Sequence, residues 1–344
     1  MIKQSVFLFL ACVLVFSCKK DKPETITPSV IISNSSGVVY ITNEGNFQFG
    51  NAAISLYDKD SKNIIEDYYK QVNQVPLGDV CQSMVYFNNK FYIVVNNSSK
   101  VMVVNAATFK IETTISGFNS PRYFIPVSNS KAYVSDLYDN RLAIVNLSTN
   151  IISGYIPAVA GTEQMKMVYG KVFVSSLFTD KIYVINSMTD LLTDSIALAY
   201  SPNSICEDKN GMLWIMCSGD SLKQKPSALV QLNPIDNQVI KSLYFNGNHA
   251  PWRMCMNKQN DTLYFLDRHV WQMSIGDTTL PTTPFINGNG KLFYALNVDA
   301  SNGEIYVSDA IDYLQHGSIY RYTASGDLTD QFKAGIIPGG FCFR

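Results

Sequence analysis

The chain carries three histidines, His249, His269 and His316, and seven cysteines. These residue types often do chemistry, but their arrangement here argues against it. No histidine stands near a serine or cysteine in a way that pairs a nucleophile with a base. There is no Cys-x-x-Cys, so a zinc ion would find no ligand framework. No glycine-rich loop is built to cradle a phosphate. The formal charge is −1, with 47% hydrophobic and 16% charged residues, which supplies a core but no basic stripe for a nucleic acid. The expectation is a protein without catalytic residues, metal site or cofactor.

Recognition chemistry is what remains. The stretch NEGNFQFGN sets Glu44, Asn46, Phe47 and Phe49 among Asn and Gly residues that mark a turn. Other turn-like stretches hold Arg122 (NSPRYF), Tyr138 (DLYDN), Phe178 (SLFTD), Trp252 (HAPWRM), Arg268 (LDRH) and Tyr313 (SDAIDYLQHG). Turn tips are usually small and polar, so aromatic side chains there are informative. An apolar body with a polar end suits a large amphipathic ligand or a protein surface. These ten residues are the candidate ligand-binding set. Simpler roles stand beside that reading. Arg122 can pair with an acid such as Glu163, Trp252 can pack into a wall, and Tyr138 and Phe178 can brace neighbouring loops.

The elements that must position them follow from a repeat. KAYVSDLYDNRLAIVN (131–146) and KVFVSSLFTDKIYVIN (171–186) match in character position by position. The theme of a turn, an apolar residue, an aromatic and then β-branched residues recurs with its aromatic at Tyr40, Tyr92, Tyr133, Phe173, Trp214, Tyr264 and Tyr306. Seven units of about 40 residues follow, two of them carrying insertions. A second apolar run follows each first one, and five of these end in Asp58, Asn105, Asn146, Asn186 or Asn233, whose side chains favour a turn. A polar third run and an apolar fourth complete four short strands per unit, with no convincing helical period.

Four strands at this period predict an all-β, seven-bladed propeller over residues 37–344. The first unit lacks an inner strand and the C-terminal IIPGGFCFR is one strand too many, so the last strand is expected to complete the first blade. The loops between the two middle strands, and those joining an outer strand to the next inner strand, then share one face. All ten candidates fall on it. Some propellers hold a metal at this mouth and hydrolyse lactones, which needs several oxygens converging on one ion. Asp79, Gln164 and Asn203 begin three inner strands and offer a weak cation site at most.

Residues 1–17 read as a signal peptide: Lys3, then an apolar run from Val6 to Phe16 that is too short for an ordinary membrane span. LVFSC ends it in the bacterial lipoprotein pattern, so Cys18 is the expected lipidation site. Residues 18–36 are the lipidated cysteine and a polar tether. Lys19 replaces the aspartate of the common inner-membrane retention mark, which favours the outer membrane. With Cys12 in the signal, five cysteines remain. Cys81, Cys206, Cys255 and Cys342 lie in apolar runs and are expected as buried free thiols, with one disulfide of unspecified pairing as the alternative.

YVSDLYDNRLAIVN and FVSSLFTDKIYVIN resemble the YVTN repeats of YncE-like seven-bladed propellers. More narrowly, TNEGNFQFGNAAISLYD, LGDVCQSM and NSPRYF followed by KAYVSDLYDNRLAIVN are similar to the BtuG-like cobalamin-binding surface lipoproteins of Bacteroidota. That resemblance implies a lipid-anchored protein on the outer face of the outer membrane. It would capture cobalamin or a related corrinoid and pass it to a TonB-dependent transporter. The alternative is a non-enzymatic propeller that serves as receptor or scaffold for another ligand: a protein, a glycan or a siderophore.

Overall fold

The computed structural model describes residues 37–344; the expected signal peptide (1–17), the expected lipidation site Cys18 and the expected tether lie outside them. Seven sheets form, one per repeat unit, and they are the blades of a propeller. The repeated runs are the two middle strands. In the third blade these are Lys131–Asp136 and Arg141–Asn146, and in the fourth Lys171–Ser176 and Lys181–Asn186. The first middle strand of each blade is buried almost throughout: Val38–Asn43, Lys90–Val95 and Leu213–Cys217 are examples. Both of its faces meet neighbouring blades, so it reads as a continuous apolar run and not as an alternation. Outer strands such as Ile111–Ser116 have one wet face and alternate.

The turns follow the expected chemistry. Asn105 Oδ1 accepts from the backbone N–H of Ala107 and Thr108 at 3.0 and 3.2 Å. Asn146 and Asn186 repeat this with the residues two and three further on. Asp58 and Asn233 also accept from the backbone just after them. Each carboxamide or carboxylate stands in for a backbone acceptor and fixes the exit from the second middle strand.

The ring closes as expected. Pro338–Phe343 is the inner strand of the first blade and pairs antiparallel with Val38–Asn43, setting Tyr40 opposite Cys342 and Ile41 opposite Phe341. The five cysteines of the described region are free thiols.

Two blades depart from four regular strands. The sixth has three, Trp252–Met256, Thr262–Asp267 and His269–Ser274. The chain that should supply its outer strand contains Pro281 and Pro284, which have no N–H to donate. Phe285 and Ile286 reach back, both donating to the Val270 carbonyl, and Gly288 N–H donates to the His269 ring, but no regular strand forms. In the first blade the outer strand shrinks to Ile64–Ile65, and a helix, Tyr68–Asn73, follows it. The sequence reading had a strand here and no helix. Six residues are too few to show a helical period. The helix rests instead on its ends and its packing: Asp67 caps Lys70 N–H, Gln74 turns left-handed, and the Tyr68 ring packs at a tilt against Phe109 and Tyr40.

Candidate functional site

Each inner strand slips register where it starts. The shifts fall between Cys81 and Ser83, Pro121 and Phe124, Thr162 and Met165, Pro202 and Ser204, Trp252 and Cys255, and Phe293 and Leu296. The first blade matches, because Asn43 pairs with Pro338 and Thr42 with Gly340. A bulge inserts unpaired residues and re-aims their side chains. The first unpaired residues are therefore equivalent around the ring: Gly339, Gln82, Arg122, Glu163, Asn203, Arg253 and Tyr294. Six of the seven line one cavity of about 240 Å³ at the channel mouth. The seventh, Gly339, borders the deeper channel of about 290 Å³. Its missing side chain is replaced from the middle loop of its own blade. A Cβ on Gly339 would lie 2.6 Å from Glu44 Oε1, so glycine here makes the room that Glu44 fills.

The floor of the mouth is a network of charges and phenols. Arg122 grips Glu163 with a two-point fork, Nε to Oε2 at 2.7 Å and Nη2 to Oε1 at 2.8 Å, and donates Nη1 to Gln82 Oε1 at 2.5 Å. Arg253 Nη1 donates to the Tyr123 hydroxyl at 2.8 Å, and its Nη2 stands 3.7 Å from Glu44 Oε1. The Tyr294 hydroxyl donates to Glu44 at 3.0–3.1 Å. Trp252 and Tyr294 meet edge to face, with ring centres 4.9 Å apart.

Burial shapes the charges. It pushes the Glu44 carboxyl up, although Arg253, the Tyr294 hydrogen bond and Arg122 pull it down. For Arg122 burial opposes the charge, but the attraction and hydrogen bonding of Glu163 outweigh it and the net shift is upward. Arg253 also shifts upward against burial, under the influence of Tyr123, Tyr294 and Glu44. The Tyr294 phenol is raised, first by burial and then by Glu44.

Above the floor stands the 44–52 loop, tied at many points. Asn46 N–H donates to Asn51 Oδ1 at 2.8 Å, and Gln48 N–H to Asp79 Oδ2 at 2.8 Å. Asn46 Nδ2 donates to the Tyr313 carbonyl at 2.6 Å, and Ala52 N–H to the Gly78 carbonyl at 3.1 Å. Against that scaffold Phe47 and Phe49 are 61% and 78% exposed. The loop is held; its aromatic rings are not.

The structure thus brings Glu44, Asn46, Arg122, Trp252 and Tyr313 to the mouth and its first rim. Tyr313 reaches the floor through Tyr294, at 5.8 Å between ring centres. Tyr138 and Phe178 lie on the rim of the third and fourth blades. Tyr138 is exposed, while Phe178 also packs over Gly161, where a Cβ would come within 2.7 Å of its ring. Arg268 is exposed on the turn after Asp267, with φ 59°, and is not among the residues lining the mouth. Asp79, Gln164 and Asn203 are engaged separately. Asp79 accepts from Gln48 and Asn97, Gln164 from Ile205 N–H, and Asn203 from Ser204. Gln82, Tyr123, Arg253 and Tyr294 were missing from the candidate set. The readable signal was positional: Arg253 occupies the place in its unit that Arg122 occupies in its own.

A family model described as a domain of unknown function, DUF5074, matches residues 37–334. The chain belongs to the DUF5074 family. No curated protein sequence matches it. Among solved structures, a quinonprotein alcohol dehydrogenase-like protein from Bacteroides thetaiotaomicron is similar with a TM-score of 0.72 and 16% identity, over 90% of this chain and 78% of that one. A putative 6-phosphogluconolactonase from Bacteroides fragilis is similar with a TM-score of 0.66 and 13% identity, over 91% and 99% of the two chains. At such identities this DUF5074 chain shares a fold with them, and the likeness carries no activity.

Proposed function

We propose that the mouth face captures a large amphipathic ligand of the corrinoid class, cobalamin or a relative, without chemistry on it. In this reading the protein is lipid-anchored through Cys18 at the outer membrane and passes the ligand to a TonB-dependent transporter. The observation that carries the proposal is the 44–52 loop: a hydrogen-bonded scaffold that leaves Phe47 and Phe49 bare beside a polar, charged floor. Exposed rings on a fixed frame offer contact area at little ordering cost. A corrinoid is broad and flat, with an apolar macrocycle edged by amides and a phosphate-bearing tail. The rim suits the macrocycle and the floor suits the polar edge. The similarity of this loop and its neighbours to BtuG-like proteins supports the same ligand class.

The test is a calorimetric titration of the chain from Lys19 onward with cyanocobalamin. The ring closes within residues 37–344, so this chain holds every blade. One-to-one binding with Kd below about 1 μM is expected, or roughly −8 kcal/mol. Absence of heat at high micromolar ligand would remove the corrinoid reading. The second reading, a receptor for a protein partner, is favoured by the bare Leu222 and Leu314 beside the aromatic rim.

A further inference from the structure

Arg253 is a largely but not fully buried cation with few partners. Its bond to Tyr123 is its one hydrogen bond among the described residues. Its Nε is buried with no partner, and the 3.7 Å between Nη2 and Glu44 exceeds hydrogen-bond reach. A guanidinium offers five N–H donors, and the protein engages one of them here. Leaving buried donors unmade is costly. The backbone adds to that cost, because Arg253 has φ 53°, a region that non-glycine residues rarely adopt.

Aromatic rings also hold this group in place, and they use none of its donors. The guanidinium carbon lies 5.1 Å from the centre of the Trp252 ring and 5.9 Å from that of Tyr294. Of the two acids nearby, Glu163 is gripped by Arg122. Glu44 takes its hydrogen bonds from Tyr294, and burial favours its neutral form. Arg253 therefore has fewer direct partners than Arg122, the other arginine of the floor. Gln82 lines the same two cavities, and its Nε2 also lacks a partner. The complement to a free guanidinium edge and a free amide N–H is an oxygen carrying negative charge.

We propose that Arg253, assisted by Gln82, is an oxyanion-binding site in the channel mouth, taking a phosphate or carboxylate group either free or carried by the ligand. The ligand-borne form rests on the capture reading above; the site itself does not. Binding would replace the loose contact with Glu44 by direct hydrogen bonds.

Crystals of the wild-type protein soaked in tungstate are expected to show the ion within hydrogen-bond distance of the Arg253 guanidinium. Water alone at that position would overturn the site. In solution, phosphate at matched ionic strength should raise the melting temperature above that in chloride, increasingly with concentration. Arg253→Gln should abolish this rise, and equal rises in both proteins would count against the site. Gln82→Glu keeps the acceptor for Arg122 but sets a carboxylate against the anion. It should weaken the phosphate response about tenfold, which covers the case of a poorly folding Arg253→Gln. A corrinoid arm separates the sources. Arg253→Gln should weaken cyanocobalamin binding about tenfold and leave dicyanocobinamide, which has no phosphate, within about twofold. Equal weakening of both would refute the ligand-borne form and leave capture standing. Tungstate at Arg253 with no corrinoid binding would uphold the site and refute capture.

Discussion

Arg122 and Arg253 are the same side chain at equivalent bulges, in the third and sixth blades, and the molecule uses them in opposite ways. Arg122 donates three hydrogen bonds that tie Gln82 of the second blade to Glu163 of the fourth. Arg253 donates one and rests between aromatic rings. The register slip places both at the mouth; partners decide the role. An arginine whose three guanidinium nitrogens each hold an acceptor is a strut between blades. One whose donors stand free at a cavity is available to a ligand. The difference comes from the positions beside them. Glu163 sits next to Arg122 around the ring, whereas Arg253 has Asn203 and Tyr294 as its neighbours.

The largest expected effect sharpens that contrast. Arg122→Ala leaves Glu163, which is nearly buried, without its counter-ion. The loss should be about 3–5 kcal/mol in urea unfolding. Arg122→Met combined with Glu163→Met removes both charges and should recover most of that loss. A double variant as unstable as the single one would mean the pair is not the strut described here.

Next in size is an effect on binding with stability untouched. Phe47→Ser with Phe49→Ser removes two exposed rings from a loop held by other groups. Unfolding free energy should move by no more than about 0.5 kcal/mol. Cyanocobalamin should bind about tenfold more weakly or worse, a change of about 1.4 kcal/mol or more. A large stability loss would show that the rings support the loop, and the division between held frame and bare contact would fail.

Much of this architecture was legible because it is local. A buried middle strand announces itself by a continuous apolar run, and its turn by one Asn or Asp, as at Asn146 and Asn186. Closure was legible from a strand left over. The loss of the sixth blade's outer strand had a visible cause in Pro281 and Pro284, yet the repeat outweighed it. The mouth was harder. Which residues turn inward is set by a register slip between two strands, and one strand's own pattern does not contain it. Arg122 was found beside Pro121, with Glu163 as a possible partner. Arg253 was hidden behind Trp252, and nothing in the strand's own pattern singled out Tyr294. Gly339 shows the same limit, since its meaning depends on Glu44, nearly 300 residues away along the chain.

A smaller effect tests Arg253 directly. Arg253→Ala gives up cation–aromatic contacts but also removes a poorly partnered charge. The net change in stability should stay within about 1 kcal/mol. A cost equal to that of Arg122→Ala would make both arginines struts.

The smallest effect asks how firmly Arg253 is paired with Glu44. Burial is the largest influence on Glu44 and raises its pKa above the ordinary value of 4.5. A carboxyl raised in the fold contributes its stability fully below the unfolded value and loses it as pH climbs through the folded one. Glu44→Gln cannot ionise and still offers an acceptor to Tyr294. The two proteins should therefore melt alike below the ordinary carboxylate range, and the variant should gain on the wild type as pH rises above it. The opposite trend, with the wild type gaining as pH rises, would mean that attraction between Glu44 and Arg253 overcomes burial. Arg253 would then be a paired arginine like Arg122, and its charge would not be free to meet an anion.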